Sequence, residues 1–374
     1  MSAGIQDNAS AGHSSATASK TMKQWQRLAG DTSVSGQYKE KPEYFEVIEE
    51  LGFLPTADEK GQHHWLHVRK TQLTTEQVAK FIAQAVGVPV REVGYSGLKD
   101  KFAVTEQWFS VQLPALTQPD WAAIFTVELS SISPRYAGGQ VTLLNAVRSS
   151  KKLRRGVHKC NHFRLRLTSV SDPAALQARF RAISSWIPNY YGEQRFGFGQ
   201  GNIQQAEAMF AGKRIKDRNL RSILLSSVRS WLFNHYLERR IQNVQTKLLA
   251  GDVFLLAGSH SFFTATDCDE EIQQRVASGD IIPSGPLFGD GESAAQADAL
   301  ALETEVASLF PELHAGLVAS RVKPDRRELW LRLQDAHFQQ ISDNEVEIRF
   351  SLPAGSFATS VLQELGDFSA PRYE

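Results

Sequence analysis

Two periodicities divide this chain, and where each falls constrains the fold more than any other feature. Alternation with a period of two, the mark of half-buried strands, runs through FEVIEELGF from Phe45, HWLHVRK from His64, AVTEQWFSVQL from Ala103 and FRLRLTSV from Phe163. In the third run Phe109, Val111 and Leu113 share one face; in the fourth Phe163, Leu165 and Leu167 oppose Arg164 and Arg166. The same alternation returns near the other end in ELWLRL and EVEIRF. Between these regions helical spacing takes over, from about Asn219 to Leu249 and from Ala294 to Phe310, around a Gly/Pro-rich loop, PSGPLFGDGES. Strands at both ends and helices in the middle imply an α+β domain assembled from the two ends of the chain, interrupted by a mixed, more helical domain.

Local signals place the boundaries. Thr74 stands three residues before Gln77, the spacing of a capping box, and Val78, Phe81, Ile82, Ala85 and Val86 form one helical stripe that ends at Gly87. Asp172 and Pro173 open a second helix, expected to run to about Trp186 with Pro188 as its stop. PAGSFATSVLQEL is expected to be a helix starting at Pro353. Residues 1–36, rich in Ser, Ala, Gly and Thr, are expected to be a flexible tail. The resulting division is a discontinuous domain of residues 37–186 and 332–374 with an inserted domain of residues 187–331. A chain of 374 residues exceeds the usual single core of about 100 to 150, which agrees with two domains.

Several classes drop out. No stretch approaches the roughly 20 consecutive apolar residues of a membrane span, and no secretory signal is apparent. Cys160 and Cys268, the only cysteines, have no CxxC or Cys/His spacing, and the histidines, His63 and His64 included, show no ligand pattern. Neither a metal site nor a disulfide is expected, and a reducing cytoplasm suits the composition. Lysine plus arginine equals aspartate plus glutamate at 41 each, yet between Glu128 and Asp172 there is no acidic residue. Arg135, Arg148, Lys151, Lys152, Arg154, Arg155, Lys159, Arg164 and Arg166 fall in that gap. Such an island suits contact with a polyanion; a solvated face balanced by acids from elsewhere in the fold would have the same composition.

The segment GYSGLKDKFAVTEQ, Gly94 to Gln107, sets two glycines and the cluster Lys99, Asp100, Lys101 directly before a regular strand. Glycine permits turns that expose a carboxylate at a strand end, and flanking lysines favour its ionised form. An ionised carboxylate can act as a nucleophile. On residue types alone, an ordinary surface turn would read the same way.

GLKDKFAVTEQ resembles the signature of the tRNA pseudouridine synthase D family, through Lys99, Asp100, Lys101, Ala103, Thr105 and Gln107. Further matches follow in the same order: KPEYFEVIEELGF, NHFRLRL, PNYYGEQRFG, KDRNLRS and RFSLPAGSFATSV. The resemblance spans roughly Lys39 to Leu365. It implies a pseudouridine synthase catalytic domain with a mixed antiparallel sheet and a family-specific inserted domain. The implied activity is isomerisation of uridine 13 of tRNA with Asp100 as nucleophile and no cofactor; no protein partner is implied. Because a stacked base is out of reach of the carboxylate, the target must be flipped out. By the same resemblance Phe45, Asn161 and Phe357 bind the flipped uridine, although core packing would account for either phenylalanine and a turn or cap for the asparagine. Tyr44 departs from the family pattern, which usually has aspartate there. Lys39 could lie near Asp100, and Phe163 reads as a packing residue beneath Asn161.

For RNA contact the candidates are Lys151, Lys152, Arg154 and Arg155 of the island and Arg195 of PNYYGEQRFG, with KRIKDRNLRS as a further basic segment. The other function classes to weigh are an RNA-binding protein or chaperone without isomerase activity and a carboxylate-dependent glycoside hydrolase. The hydrolase would need a second carboxylate at defined separation, and the signature supplies one.

Overall fold

In the computed structural model the residues described are 25–114, 117–183, 186–244, 247–259 and 261–371. The four N-terminal strands foreseen and EVEIRF join in one sheet, whereas ELWLRL lies outside it, with Glu328 and Trp330–Leu331 paired in two smaller sheets. The main path of the large sheet runs Gln334–Ser342, Glu345–Pro353, Cys160–Thr168, Phe45–Glu50, Val104–Gln112, His63–Thr71, Gln140–Ser149. Phe45–Glu50 and Val104–Gln112 are parallel and the other neighbours on this path antiparallel, so the sheet is mixed and the fold is α+β.

The alternation decides what each face carries. Phe163, Leu165 and Leu167 point into a core with Phe45, Val47, Ile348 and Phe350, covered by the helices Pro173–Ile183 and Ala358–Leu365. On the other face the charged residues pair across strands: Arg164 with Glu46 and Glu347, Arg69 with Glu46, and Arg166 with Glu345. The helix Thr75–Ala85 begins with the foreseen capping box between Thr74 and Gln77 and buries Val78, Phe81 and Ile82 in a second core. A third core comes mostly from the middle of the chain, around the helix Arg218–Asn243 and residues Tyr190, Phe196, Trp231, Phe233 and Leu317. That helix stops at Asn243, short of Leu249, because the chain then winds around a buried pair. Arg240 donates to Asp252 Oδ1 at 2.8 Å, and Leu249 N donates to Asp252 Oδ2 at 2.7 Å.

Four further expectations fail. Residues 1–24 of the expected tail lie outside the described residues, but residues 25–36 are packed. Trp25 is buried against Tyr190 at 5.6 Å and Trp231 at 5.3 Å, and Ser35–Tyr38 pairs with two strands. PSGPLFGDGES opens as strand, since Ile281–Leu287 lies between Val253–Leu256 and Asp325–Glu328. Its prolines are tolerated because the strand pairs with one neighbour through Ile281 to Ser284 and with the other through Ser284 to Leu287. Each half is an edge on one side, where a missing N–H is harmless. Pro353 ends a strand, paired with Cys160, and a turn with Gly355 at φ +84° precedes the helix Ala358–Leu365. The helix Pro173–Ile183 ends before Trp186, and Ile187–Pro188 pairs with Trp330–Leu331 where the chain leaves and re-enters the sheet region.

Candidate active site

Asp100 sits in the loop between the strands Val93–Tyr95 and Val104–Gln112. The surrounding signature residues fix this loop. The buried Gln107 donates through Nε2 to Gly97 O at 3.2 Å and accepts from Thr75 Oγ1 at 2.8 Å. Thr75 Oγ1 in turn accepts from Lys99 N at 2.9 Å. Lys70, 1% exposed, donates to the backbone carbonyls of Leu73 at 2.6 Å and Asp100 at 2.8 Å. Burial pulls its pKa down to about 7, although the nearby Asp100 carboxylate favours the charge. The glycines serve another purpose than the one foreseen. Neither Gly94 nor Gly97 takes a positive φ; a Cβ on Gly94 would lie 2.4 Å from Leu153 O, so this glycine permits close approach of the basic segment.

The Asp100 side chain is 42% exposed, and Lys39 Nζ lies 2.6 Å from its Oδ2. Lys39 takes a left-handed conformation at φ +60° and places its ammonium 4.0 Å from the centre of the Phe45 ring. The cation in contact with the carboxylate is Lys39, 61 residues away in sequence, while the flanking Lys99 stands within electrostatic reach of Asp100. Lys99 turns inward and Lys101 is exposed.

Lys99 belongs to a buried network that the sequence did not reveal. Glu49 accepts from Ser96 Oγ at 2.5 Å and Trp108 N at 3.2 Å, and Lys99 Nζ stands 3.3 Å from its Oε2. Lys99 also donates to Asn161 Oδ1, and Asn161 Nδ2 lies 3.4 Å from His158 Nε2. Burial lowers the pKa of Lys99 despite Glu49, and that of His158, which Lys99 lowers further. Strand register explains the meeting, since Glu49 pairs with Asn161 as Val47 does with Phe163. One signal was available: in FEVIEE the inward set is Phe45, Val47, Glu49, and a carboxylate at an inward position demands partners.

Phe45 is 3% exposed, with its ring near those of Phe163 at 6.4 Å and Tyr38 at 6.3 Å. Burial raises the Tyr38 pKa, and the carboxylates of Asp100 and Glu193 add to the effect. Tyr38 thus stands within electrostatic reach of both the Asp100 loop and the segment PNYYGEQRFG. Phe357, 39% exposed, immediately precedes the helix Ala358–Leu365 with its ring 6.3 Å from that of Tyr191. Asn234 holds the Tyr191 backbone on both sides at 2.9 Å, and the Arg327 guanidinium lies 4.0 Å from the Tyr191 ring. The structure therefore gathers Asp100, Lys39 and Phe45 directly, joins Asn161 to them through Lys99, and sets Phe357 with Tyr191 and Arg327. Arg195 hydrogen-bonds Ser226 and Ser230 and lies 5.6 Å from the Tyr191 ring.

The basic island splits in two. Lys159, Arg164 and Arg166 pair with Glu50, Glu347 and Glu345. Lys151, Lys152, Arg154 and Arg155 have no carboxylate partner among the described residues, and the last stacks on Tyr95 at 4.6 Å. Lys152, Arg154 and Arg155 line an open groove of about 490 Å³ with Lys80, Arg91 and Tyr95. This segment is tied to the Asp100 loop, since Gly156 N donates to Ser96 O at 2.7 Å. Tyr44, where the family usually has aspartate, packs its ring 5.1 Å from the Arg166 guanidinium. Among the described residues no helix is long and apolar enough to cross a membrane.

A family model described as tRNA pseudouridine synthase D (TruD) matches residues 26–213 and 204–365. A protein of Aeromonas salmonicida named tRNA pseudouridine synthase D is 43% identical over 347 residues, 92% of this chain and 94% of the relative. One of the same name from Methylococcus capsulatus is 41% identical over 346 residues, 91% of this chain and 94% of the relative. The crystal structure of a Methanosarcina mazei protein described as a putative tRNA pseudouridine synthase D is similar at a TM-score of 0.65 and 19% identity, covering 91% of this chain and 95% of that one. That last likeness bears on the fold alone.

Proposed function

Starting from a chain that belongs to the tRNA pseudouridine synthase D family, we propose that it isomerises uridine 13 of tRNA to pseudouridine with Asp100 as the nucleophile. The N1 to C1′ bond breaks, the uracil turns, and C5 bonds to C1′ while a proton leaves C5 and one is gained at N1. No net oxidation or reduction occurs. One half-exposed carboxylate can begin this reaction by attack on the nucleoside.

The observation that carries the reading is the setting of Asp100: half-exposed, on a loop pinned by Lys70 and Gln107, with Lys39 Nζ at 2.6 Å. In this reading the flipped uridine enters between Phe45 and Phe357, and Asn161, oriented by Lys99, reads the uracil edge through its amide. The family insertion is residues 187–331, and the RNA backbone crosses Lys151, Lys152, Arg154 and Arg155, with Arg195 on the far side. The two free cysteines suit a cytoplasmic enzyme.

Asp100→Asn tests the central claim, because the amide keeps the shape and cannot act as an anionic nucleophile. Turnover on tRNA should vanish while tRNA affinity stays within a few fold. Appreciable turnover, in protein shown free of deamidation back to aspartate, would remove Asp100 from the mechanism.

A further inference from the structure

Cys160 and His162 share one face of their strand, and Asn161 between them faces the other way, toward Lys99. The neighbouring strand brings Glu50 directly opposite Cys160. No sequence spacing announces this meeting, since Glu50 lies 112 residues before His162. One ligand atom from each of the three residues lies within 4.8 Å of the others. We propose that Glu50, Cys160 and His162 bind one borderline-soft divalent cation of the zinc type, on the sheet face opposite the catalytic loop.

Geometry carries the argument. Ser351 Oγ stands 2.7 Å from His162 Nδ1 and 3.1 Å from Asp335 Oδ2. His162 Nε2 lies 2.9 Å from Glu50 Oε2. A neutral imidazole carries one proton: on Nε2 it bridges to Glu50, and on Nδ1, facing Ser351, it leaves the Nε2 lone pair for a metal ion. Cys160 Sγ completes a triangle, 3.2 Å from Glu50 Oε2 and 3.8 Å from His162 Nε2.

Tetrahedral zinc with ordinary bond lengths needs about 3.4 Å between its nitrogen and oxygen ligands and about 3.6 Å from sulfur to either, so adjustments of about half an ångström suffice. The chain Asp335 to Ser351 to His162 is the kind of outer support that orients a metal-bound imidazole. Lys159 occupies the other oxygen of Glu50, Oε1, at 3.3 Å, leaving Oε2 for the cluster. His162 and Glu50 side chains are 40% and 38% exposed, so a fourth position opens to water. Binding displaces the thiol proton, forming a sulfur to metal bond and releasing one H⁺, and a thiolate ligand selects against Mg²⁺ and Ca²⁺.

Full-length protein without a histidine tag, stripped by chelation and titrated with Co²⁺, supplies the test. One equivalent should produce a near-ultraviolet thiolate-to-cobalt band with the visible bands of a tetrahedral ion, bleached by Zn²⁺. Cys160→Ser should abolish the near-ultraviolet band and weaken Zn²⁺ binding at least tenfold, and His162→Gln should weaken it similarly. Ser351→Ala should weaken it about tenfold through the lost support of the imidazole. Cys268→Ser should change nothing. A thiolate band that never forms at saturating Co²⁺, or one that survives Cys160→Ser and is lost in Cys268→Ser, would overturn the proposal and leave a proton between Glu50 and His162.

Discussion

Replacing Lys151, Lys152, Arg154 and Arg155 together with alanine should weaken tRNA binding and flatten its dependence on salt. None of the four has a carboxylate partner among the described residues, so their charge is available to phosphates. Each phosphate contact contributes roughly 0.7 to 0.9 to the slope of log K against log salt, so losing four lowers the slope by about 2.8 to 3.6. Over a fourfold rise in salt, from about 50 to 200 mM, the parent protein should then lose about 50 to 150 times more affinity than the variant. Filter binding across a salt series measures this directly. The single-turnover rate at saturating enzyme should stay close to the parent value, because the substitutions leave Asp100, Lys39 and Asn161 in place. Arg166→Ala is the matched control: its guanidinium is already paired with Glu345, and its removal should leave the slope unchanged. An unchanged slope in the fourfold variant, shown by circular dichroism to be folded, would refute the reasoning and move the RNA elsewhere, first to the segment from Lys213 to Arg221.

Lys39→Met should lower kcat about tenfold or more with KM within a few fold, since a hydrogen bond to a charged group contributes about 1.5 to 3 kcal/mol and this one is half exposed; an unchanged kcat would mean Lys39 is only a surface partner. Buried Lys70 titrates near 7 in the fold and near 10 when unfolded, so between those values the unfolded state binds more protons and stability from this group rises with pH. Lys70→Met should flatten that window by no more than a few kcal/mol, read as the difference between parent and variant in urea unfolding at pH 7 and pH 10. Activity on tRNA should survive chelation with EDTA followed by dialysis, because the isomerisation needs no redox partner and the Glu50, Cys160, His162 cluster faces away from Asp100; loss of activity restored by one specific metal would contradict this.

Much of the fold was legible because it follows from local rules. Alternation placed Phe163, Leu165 and Leu167 inward, and the capping box at Thr74 and Gln77 fixed the start of a helix. Proline misled where its context was tertiary: Pro283 and Pro286 sit in a strand whose two halves pair with different neighbours, which no local window can display. The candidate site was legible only through resemblance. Asp100, Phe45, Asn161 and Phe357 were named from motifs, whereas the groups that position them, Glu49, Lys70 and Arg327, come from distant strands and became visible only through register and burial. Lys39 is the intermediate case, placed near Asp100 by resemblance and shown as its ion partner by geometry.

Trp25 has a consequence for how the molecule comes apart. Its indole fills an aromatic socket of Tyr190, Phe196, Trp231 and His235, while Val34, nine positions on, is buried in the core beneath the sheet. Between them Arg27 donates to Gln363 O at 2.6 Å, and the Leu28 and Ala29 amides donate to Glu364 at 3.1 Å. A ten-residue strap thus ties the helical middle of the chain to its terminal helix. Melting either core frees one anchor of the strap and weakens the other, so the two should denature in a single cooperative transition. A fragment of residues 187–331 cut out on its own would expose an empty aromatic slot, and would aggregate through it unless the strap were grafted back.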